Sequence, residues 1–147
     1  MRKLSLYLSI LILAACSAEL SQLEVQKNLV LQGEMLFEGP NTLSMANDVD
    51  LVSLIEGDGL NTEQVESVGI KQAQITFDTG NEKIAESVLL QVVSDNNELI
   101  TIGTLSPLPA STMMSLKLAD EIDLKPYLMD NGCTWVLDVN LNGDKDA

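Results

Sequence analysis

The chain has 147 residues, enough for one domain, and its 22 acidic and 8 basic side chains give a formal net charge of −14. A surface this acidic repels nucleic acid and anionic lipid headgroups, which excludes both as expected partners. The chain contains no histidine, the commonest general base and metal ligand, and its apolar content of 46% is too high for wholesale disorder.

The first residues have the pattern of a secretory signal. Residues 1–3 include Arg2 and Lys3, and residues 4–15 are uncharged and dominated by Leu and Ile. This run is too short for a membrane-spanning helix, which needs about 20 apolar residues. The small residues Ala14 and Ala15 close the run, as small residues do before a cleavage site. Residues 1–15 are therefore predicted to be a signal peptide.

The residues at the end of this run, Leu13-Ala14-Ala15-Cys16, resemble the lipobox of bacterial lipoproteins. The resemblance implies cleavage before Cys16, acylation of its thiol, and attachment to a membrane through the acyl chains. Several chains make a stable anchor, whereas one alone is marginal. In enteric bacteria an aspartate after the cysteine implies retention in the inner membrane, so Ser17 favours the outer membrane. The alternative is an ordinary secretory signal followed by a chance cysteine.

Removal of residues 1–15 would leave 6 basic and 22 acidic residues, a net charge of −16. Residues 16–27 are polar with scattered apolar residues, which predicts an acylated N-terminus and a flexible tether. Residues 28–147 are predicted to form the folded domain. If Cys16 is acylated, Cys133 cannot form a disulfide within the chain. Its strand parity with Trp135 favours a place in the core over a reactive or intermolecular role.

Alternation of apolar and polar residues is the main signal along the domain. It predicts strands over 28–37, 70–77, 113–118 and 133–141, and a hairpin over 87–105 with its turn at 94–97. The first strand is expected to end at Gly39-Pro40-Asn41. The last strand is expected to bury Trp135, Leu137, Val139 and Leu141.

The helical signals are short. Residues 49–55 fit either a weak strand or a helical turn. Asn61 and Gln64 have the spacing of a capping box, which predicts a helix of about two turns. Asp123 can cap a further turn in which Pro126 is tolerated near the start.

These signals predict an all-β fold, a small antiparallel β-sandwich (immunoglobulin-like or jelly-roll-like) of six to seven strands with one or two short helical turns. A barrel is the alternative. Asn142-Gly143 is a strong hairpin signal, yet only four residues follow it. Either the last strand pairs with a distant partner, or the domain lacks a C-terminal strand.

One stretch resembles the calcium loops of EF-hands and dockerins, because oxygen-bearing side chains alternate and a glycine is sixth. The candidate ligands are Asp138, Asn140, Asn142, Asp144 and Asp146. The carboxylate that normally closes such a loop at the twelfth position would lie beyond Ala147. Asp138 and Asn140 also form the polar face of the predicted strand, so an ordinary strand and turn is favoured and no metal or cofactor is expected.

The chain shows no catalytic constellation, and no enzyme activity is expected. Asp120, Glu121 and Asp123 could supply a carboxylate pair, but close acidic pairs arise by chance in so acidic a chain. The sequence favours a lipid-anchored envelope protein whose acidic domain is a non-catalytic binding or scaffolding module with an envelope protein partner. The alternatives are a calcium-dependent adhesion module using residues 138–146 and a carboxylate-pair hydrolase.

Overall fold

A computed structural model describes residues 23–26, 28–29, 31, 36–46, 50–77 and 85–143. The elements in these ranges are β1 (Gly39–Ala46), α1 (Leu51–Ile55), a 3-10 helix (Thr62–Gln64), β2 (Gln74–Thr76), β3 (Ala85–Val93), β4 (Ile100–Leu105), β5 (Met113–Ser115), β6 (Lys117–Leu118), α2 (Lys125–Met129) and β7 (Thr134–Leu141). The predicted signal peptide and Cys16 lie outside the described residues, as do the turn after Phe77 and residues 144–147.

The strands form two antiparallel sheets. The larger has the order β1-β7-β3-β4-β6, and the smaller pairs β2 with β5. The fold is therefore mostly β and sandwich-like, with two short α-helices, which confirms the predicted class. β7 lies inside the larger sheet, between β1 and β3, so the predicted last strand does pair with distant partners.

In β7, the alternation of apolar and polar residues matches the observed burial. Trp135, Leu137, Val139 and Leu141 are buried, and the residues between them are half-buried. Successive strand residues point to opposite faces, so one face of β7 joins the core and the other faces outward. Cys133, two residues before Trp135, is buried as its parity predicts.

The core consists of two clusters along the inner face of the larger sheet. The first contains Leu51, Ile55, Val92, Ile102, Leu124, Tyr127, Leu128, Cys133 and Trp135. The second contains Ala85, Val88, Leu116, Leu137, Val139 and Leu141. Residues of β3 and β7 occur in both clusters, so these two central strands hold the halves of the domain together.

α1 and the 3-10 helix both begin at side-chain caps. Asp50 accepts a hydrogen bond from the Ser53 backbone N–H at 2.7 Å, and 51–55 is helical rather than strand. Asn61 and Gln64 form the predicted capping box. The predicted two turns are wrong, because the chain becomes extended at Val65 and remains helical only over Thr62–Gln64. Partly buried Val65 then packs against the first core cluster.

α2 begins close to the predicted position, with Pro126 in its first turn. The capping residue differs by one from the prediction: Leu124 occupies the N-cap position. Asp123 nevertheless supports the start of the helix, since its Oδ1 accepts hydrogen bonds from the backbone N–H of Lys125 at 3.0 Å and of Val68 at 2.9 Å.

The prediction was wrong about the first strand. Residues 30 and 32–35 of the predicted strand lie outside the described residues, its other residues lie outside any strand, and Phe37 is 62% exposed. The strand starts instead at Gly39, where a turn was expected. Pro40 can occupy it because β1 is an edge strand, where proline is tolerated.

Two other strands are shorter than predicted. Only Gln74–Thr76 of the range 70–77 is strand. The range 113–118 divides between the sheets: β5 pairs with β2, and β6 pairs with β4. Leu116 separates them, is buried, and its N–H donates to the Ala73 carbonyl at 2.9 Å. The segment therefore passes from one sheet to the other at Leu116.

Candidate functional site

The calcium candidates divide between β7 and the residues beyond it. Asp138 and Asn140 lie on the outward side of β7, Asn142 follows its end, and Asp144 and Asp146 lie outside the described residues. Thr42 Oγ1 donates to Asp138 Oδ1 at 2.6 Å, and Asn140 Nδ2 donates to Glu86 Oε2 at 2.9 Å. Strand geometry separates alternate side chains by about 6.5–7 Å. Asp138 and Asn140 therefore bind neighbouring strands instead of converging on one point.

The acidic residues considered for hydrolysis are surface groups. Asp120, Glu121 and Asp123 are all exposed, and Asp123 binds the two backbone N–H groups described above. Within the described ranges, no three His, Cys, Asp or Glu side chains are grouped so that they could hold a metal ion.

A polar network that the sequence analysis missed lies at the β3–β4 turn. The Asp130 carboxylate accepts hydrogen bonds from Ser94 Oγ at 2.7 Å, Asn96 N at 2.7 Å and Asn96 Nδ2 at 2.6 Å. It also accepts one from Asn131 N at 2.9 Å. Asn97 Nδ2 donates to Ser94 Oγ at 2.8 Å. One carboxylate thus fastens this turn to the end of α2.

These hydrogen bonds set the ionisation of Asp130. The bonds from Ser94 and from the Asn96 backbone hold the pKa of Asp130 at about 2, against an ordinary 3.8, although partial desolvation acts in the opposite direction. A carboxylate that accepts several hydrogen bonds favours its charged form. Because every described contact of this group is with the protein's own turn, the network is structural.

Asp130→Ala is expected to lower the free energy of unfolding at neutral pH. The folded-state pKa lies below the unfolded one, so the stabilisation is present above about pH 4 and is lost as pH falls toward about 2. Urea unfolding of both proteins across this range should show the difference narrowing in acid. Asp95→Ala, which removes a carboxylate from the same turn, is the control. A difference that stays constant down to pH 2 contradicts this assignment.

The most distinctive surface is a patch on the side of the larger sheet that is turned away from the two core clusters, and we call this patch the outer face. Its residues are Thr42, Ser44, Ala46, Leu89, Gln91, Val93, Thr101, Thr104, Thr134, Val136 and Asp138. Strand pairing aligns them in rows. One row crosses four strands as Ser44, Val136, Gln91 and Thr101. The next row is Thr42, Asp138, Leu89 and Thr104.

The outer face has almost no charge. Asp138 is the single charged residue within this patch, and two charged residues border it: Lys117, opposite Thr104 on β6, and Glu86, which binds Asn140. Leu89, Val93 and Val136 are half-buried or exposed and lie outside both core clusters. Four strands about 4.8 Å apart and three rows about 6.5–7 Å apart give a patch of roughly 400 Å². The centre of the outer face is therefore a mixed apolar and hydroxyl surface, with charged residues mainly at its border.

Two open grooves lie elsewhere. One, of about 590 Å³, follows α1 and is lined by residues that include Asp50, Val52, Ile55, Glu56 and Leu60. The other, of about 530 Å³, is lined by residues that include Glu86, Pro107, Leu108 and Asn142. Both have carboxylates on their walls, Asp50 and Glu56 in the first and Glu86 in the second.

No protein-family model matches the chain, and neither a curated protein nor a solved structure is significantly similar to it. Among the described residues, no helix is both long enough and apolar enough to cross a membrane.

Proposed function

We propose that this chain is a lipid-anchored protein of the bacterial cell envelope whose sandwich-like domain is a non-catalytic binding or scaffolding module. The anchor is Cys16, on the resemblance of Leu13-Ala14-Ala15-Cys16 to a lipobox. Ser17 favours the outer membrane. The acyl chains supply the membrane attachment, and the acidic domain projects from the membrane on residues 16–27.

The observation that carries the binding role is the outer face. The centres of protein interfaces are depleted of charged residues, and the outer face has that composition within a chain of net charge −14. Its partner is a protein, because the rest of the acidic surface repels nucleic acid and anionic lipid. Val136 and Leu89 supply the apolar contact, and the threonines around them supply hydrogen-bonding groups.

The non-catalytic part of the proposal is supported by what the carboxylates do. Asp123 and Asp130 hold backbone N–H groups in place, and Asp138 accepts a hydrogen bond from Thr42. A general acid or base needs a proton that it can exchange with a substrate. These groups instead bind the protein itself.

The anchor is tested by labelling cells with a fatty acid. We expect the wild type to take up label and to sediment with membranes, and Cys16→Ala to do neither. Cys133→Ala is the matched control, since it removes a cysteine that is buried in the domain and should leave the labelling unchanged. An unlabelled wild type overturns the anchor.

The binding role is tested with a photo-cross-linking amino acid placed at Gln91, in the middle row of the outer face. We expect one discrete adduct with an envelope protein from Gln91 and none from Glu63, an exposed position in the 3-10 helix. Adduct formation should fall when Val136→Lys is added, because a lysine places an unpaired charge in the contact. Equal adducts from both positions, or none from Gln91, would show that the outer face is not the binding surface.

A further inference from the structure

The two edges of the larger sheet are built differently. β6 forms one edge with only Lys117 and Leu118. β1 forms the other with eight residues, none of them charged, in unbroken register with β7. No strand in the described part of the chain pairs with the far side of β1. Proteins usually protect edge strands by shortness, charge, bulges or proline, and β1 has only Pro40, its second residue.

We propose that β1 pairs with β1 of a second copy of this chain. The pairing is antiparallel about a two-fold axis perpendicular to the sheet, with Thr42 of one copy opposite Thr42 of the other. It joins two five-stranded sheets into one of ten strands. The proposal goes beyond the binding role above and does not depend on lipidation.

The side-chain pattern is compatible with this register, and Thr42 on the axis adds a favourable cross-strand pair. In an antiparallel pair, two directly opposed side chains point to the same face of the sheet. The inner faces of both copies therefore lie on the same side only if even-numbered residues oppose even-numbered ones and odd oppose odd. With Thr42 on the axis, Leu43 lies opposite Asn41 on the inner face and Ser44 lies opposite Pro40 on the outer face. Thr–Thr pairs are favourable across strands. Glu38, just before β1, falls opposite Ala46, so no two carboxylates face each other.

Electrostatics explains why a second copy can approach here although each copy carries a net charge of −14. The nearest charged side chain of the outer face is Asp138, which lies beside Thr42 on β7. In the paired sheet the two Asp138 residues are three strand spacings apart, about 14 Å, which exceeds the Debye length of about 8 Å at physiological ionic strength. Pairing should therefore strengthen as salt increases.

The size of the outer face favours a second copy over an unrelated strand. A patch of roughly 400 Å² is about half of the roughly 800 Å² that each partner buries in a standard interface. Pairing through β1 places two outer faces side by side and doubles the continuous surface. A foreign strand on β1 would add only its own width, and it would leave the outer face nearly as small as before.

The register is tested by disulfide formation in the full chain carrying Cys16→Ser, in nonionic detergent. Directly opposed residues have Cβ atoms about 4.5–5.5 Å apart, close enough for a disulfide after a small adjustment. Thr42→Cys should therefore give a disulfide-linked dimer at least about tenfold faster than Ser44→Cys. Two Ser44→Cys thiols would lie four residues out of register, about 13 Å apart. The parent, which retains buried Cys133, should give no dimer.

Sedimentation of the wild type supplies the second measurement. The dimer fraction should increase with protein concentration, and also as ionic strength rises above about 0.1 M. The proposal is overturned by a monomer under all conditions, or by equal cross-linking at the two positions. It is equally overturned by a dimer that Thr42→Cys does not trap. If the wild type dimerises but takes up no fatty acid, the proposed acylation of Cys16 is wrong and the proposed β1 pairing still holds.

Discussion

Trp135→Ala is expected to lower the free energy of unfolding by about 3–5 kcal/mol, the range for truncating a buried aromatic side chain. Trp135 is 8% exposed and belongs to the first core cluster, on a strand in the interior of the larger sheet. The residues of that cluster come from several strands and both α-helices, and they can close the cavity only in part. Urea unfolding followed by far-ultraviolet circular dichroism measures the change. A loss below about 1 kcal/mol would show that the indole is not packed as described.

Trp135→Phe separates packing from hydrogen bonding. The indole Nε1–H of Trp135 is buried with no hydrogen-bond partner in the described part of the chain. An unsatisfied buried donor costs about 1–3 kcal/mol. Phenylalanine removes that donor and keeps most of the ring, so its loss should be well below that of alanine. Trp135 is the chain's single tryptophan, and its emission in the folded wild type should be blue-shifted relative to the unfolded protein.

Gly103→Ala is expected to cost about 1–3 kcal/mol, as overpacking does in well-filled regions. A Cβ at position 103 would lie 3.0 Å from the Lys117 carbonyl oxygen and 3.2 Å from Leu116 Cβ. The Lys117 carbonyl oxygen is a backbone atom, so it cannot relieve the contact by a side-chain rotation. β4 and β6 would have to separate. Thermal and urea unfolding both measure the effect.

Gly69→Ala is the matched control. The nearest atom to a Cβ at Gly69 is the Ile122 carbonyl oxygen at 4.0 Å, an ordinary contact. Replacing glycine where there is room stabilises by about 0.4–1 kcal/mol, since it restricts the unfolded chain. The two substitutions should therefore differ in sign. Equal effects would mean that the close approach at Gly103 is not a constraint on the fold.

Two kinds of element were predicted best from the sequence. One is a strand whose partner is close in sequence, and the other is a strand with a long alternation of apolar and polar residues. β7 shows its buried face over four successive repeats of the pattern, and β3 with β4 is a hairpin closed by a polar turn. The sequence did not predict β1 because only two of its inward residues, Leu43 and Met45, are apolar. In addition, Gly39-Pro40 has the local pattern of a turn. Whether proline ends a strand or occupies an edge depends on the sheet order, which local sequence does not contain.

The candidate site, like the fold, could be predicted from the sequence only in part. The parity of β7 alone, which the sequence shows, is enough to place Asp138 on an outward face. The rows that make the outer face need the register of β1, β3 and β4 against β7, and the bulge between Leu90 and Gln91 shifts one of these registers. The Asp130 network was not predictable, because Ser94 and Asp130 are 36 residues apart and ordinary in composition. A single polar turn residue gives no signal of its distant partner.

The position of β7 also determines when the sheet can form as the chain emerges from a ribosome or a translocation pore. β7 lies between β1 and β3, yet it follows both in sequence, and its register joins Gly39 to Leu141. Until β7 is available, β1 lacks its partner strand within the same chain, and β3 has only β4 beside it. The larger sheet can therefore be completed only after β7, the last of its strands in sequence, has become available.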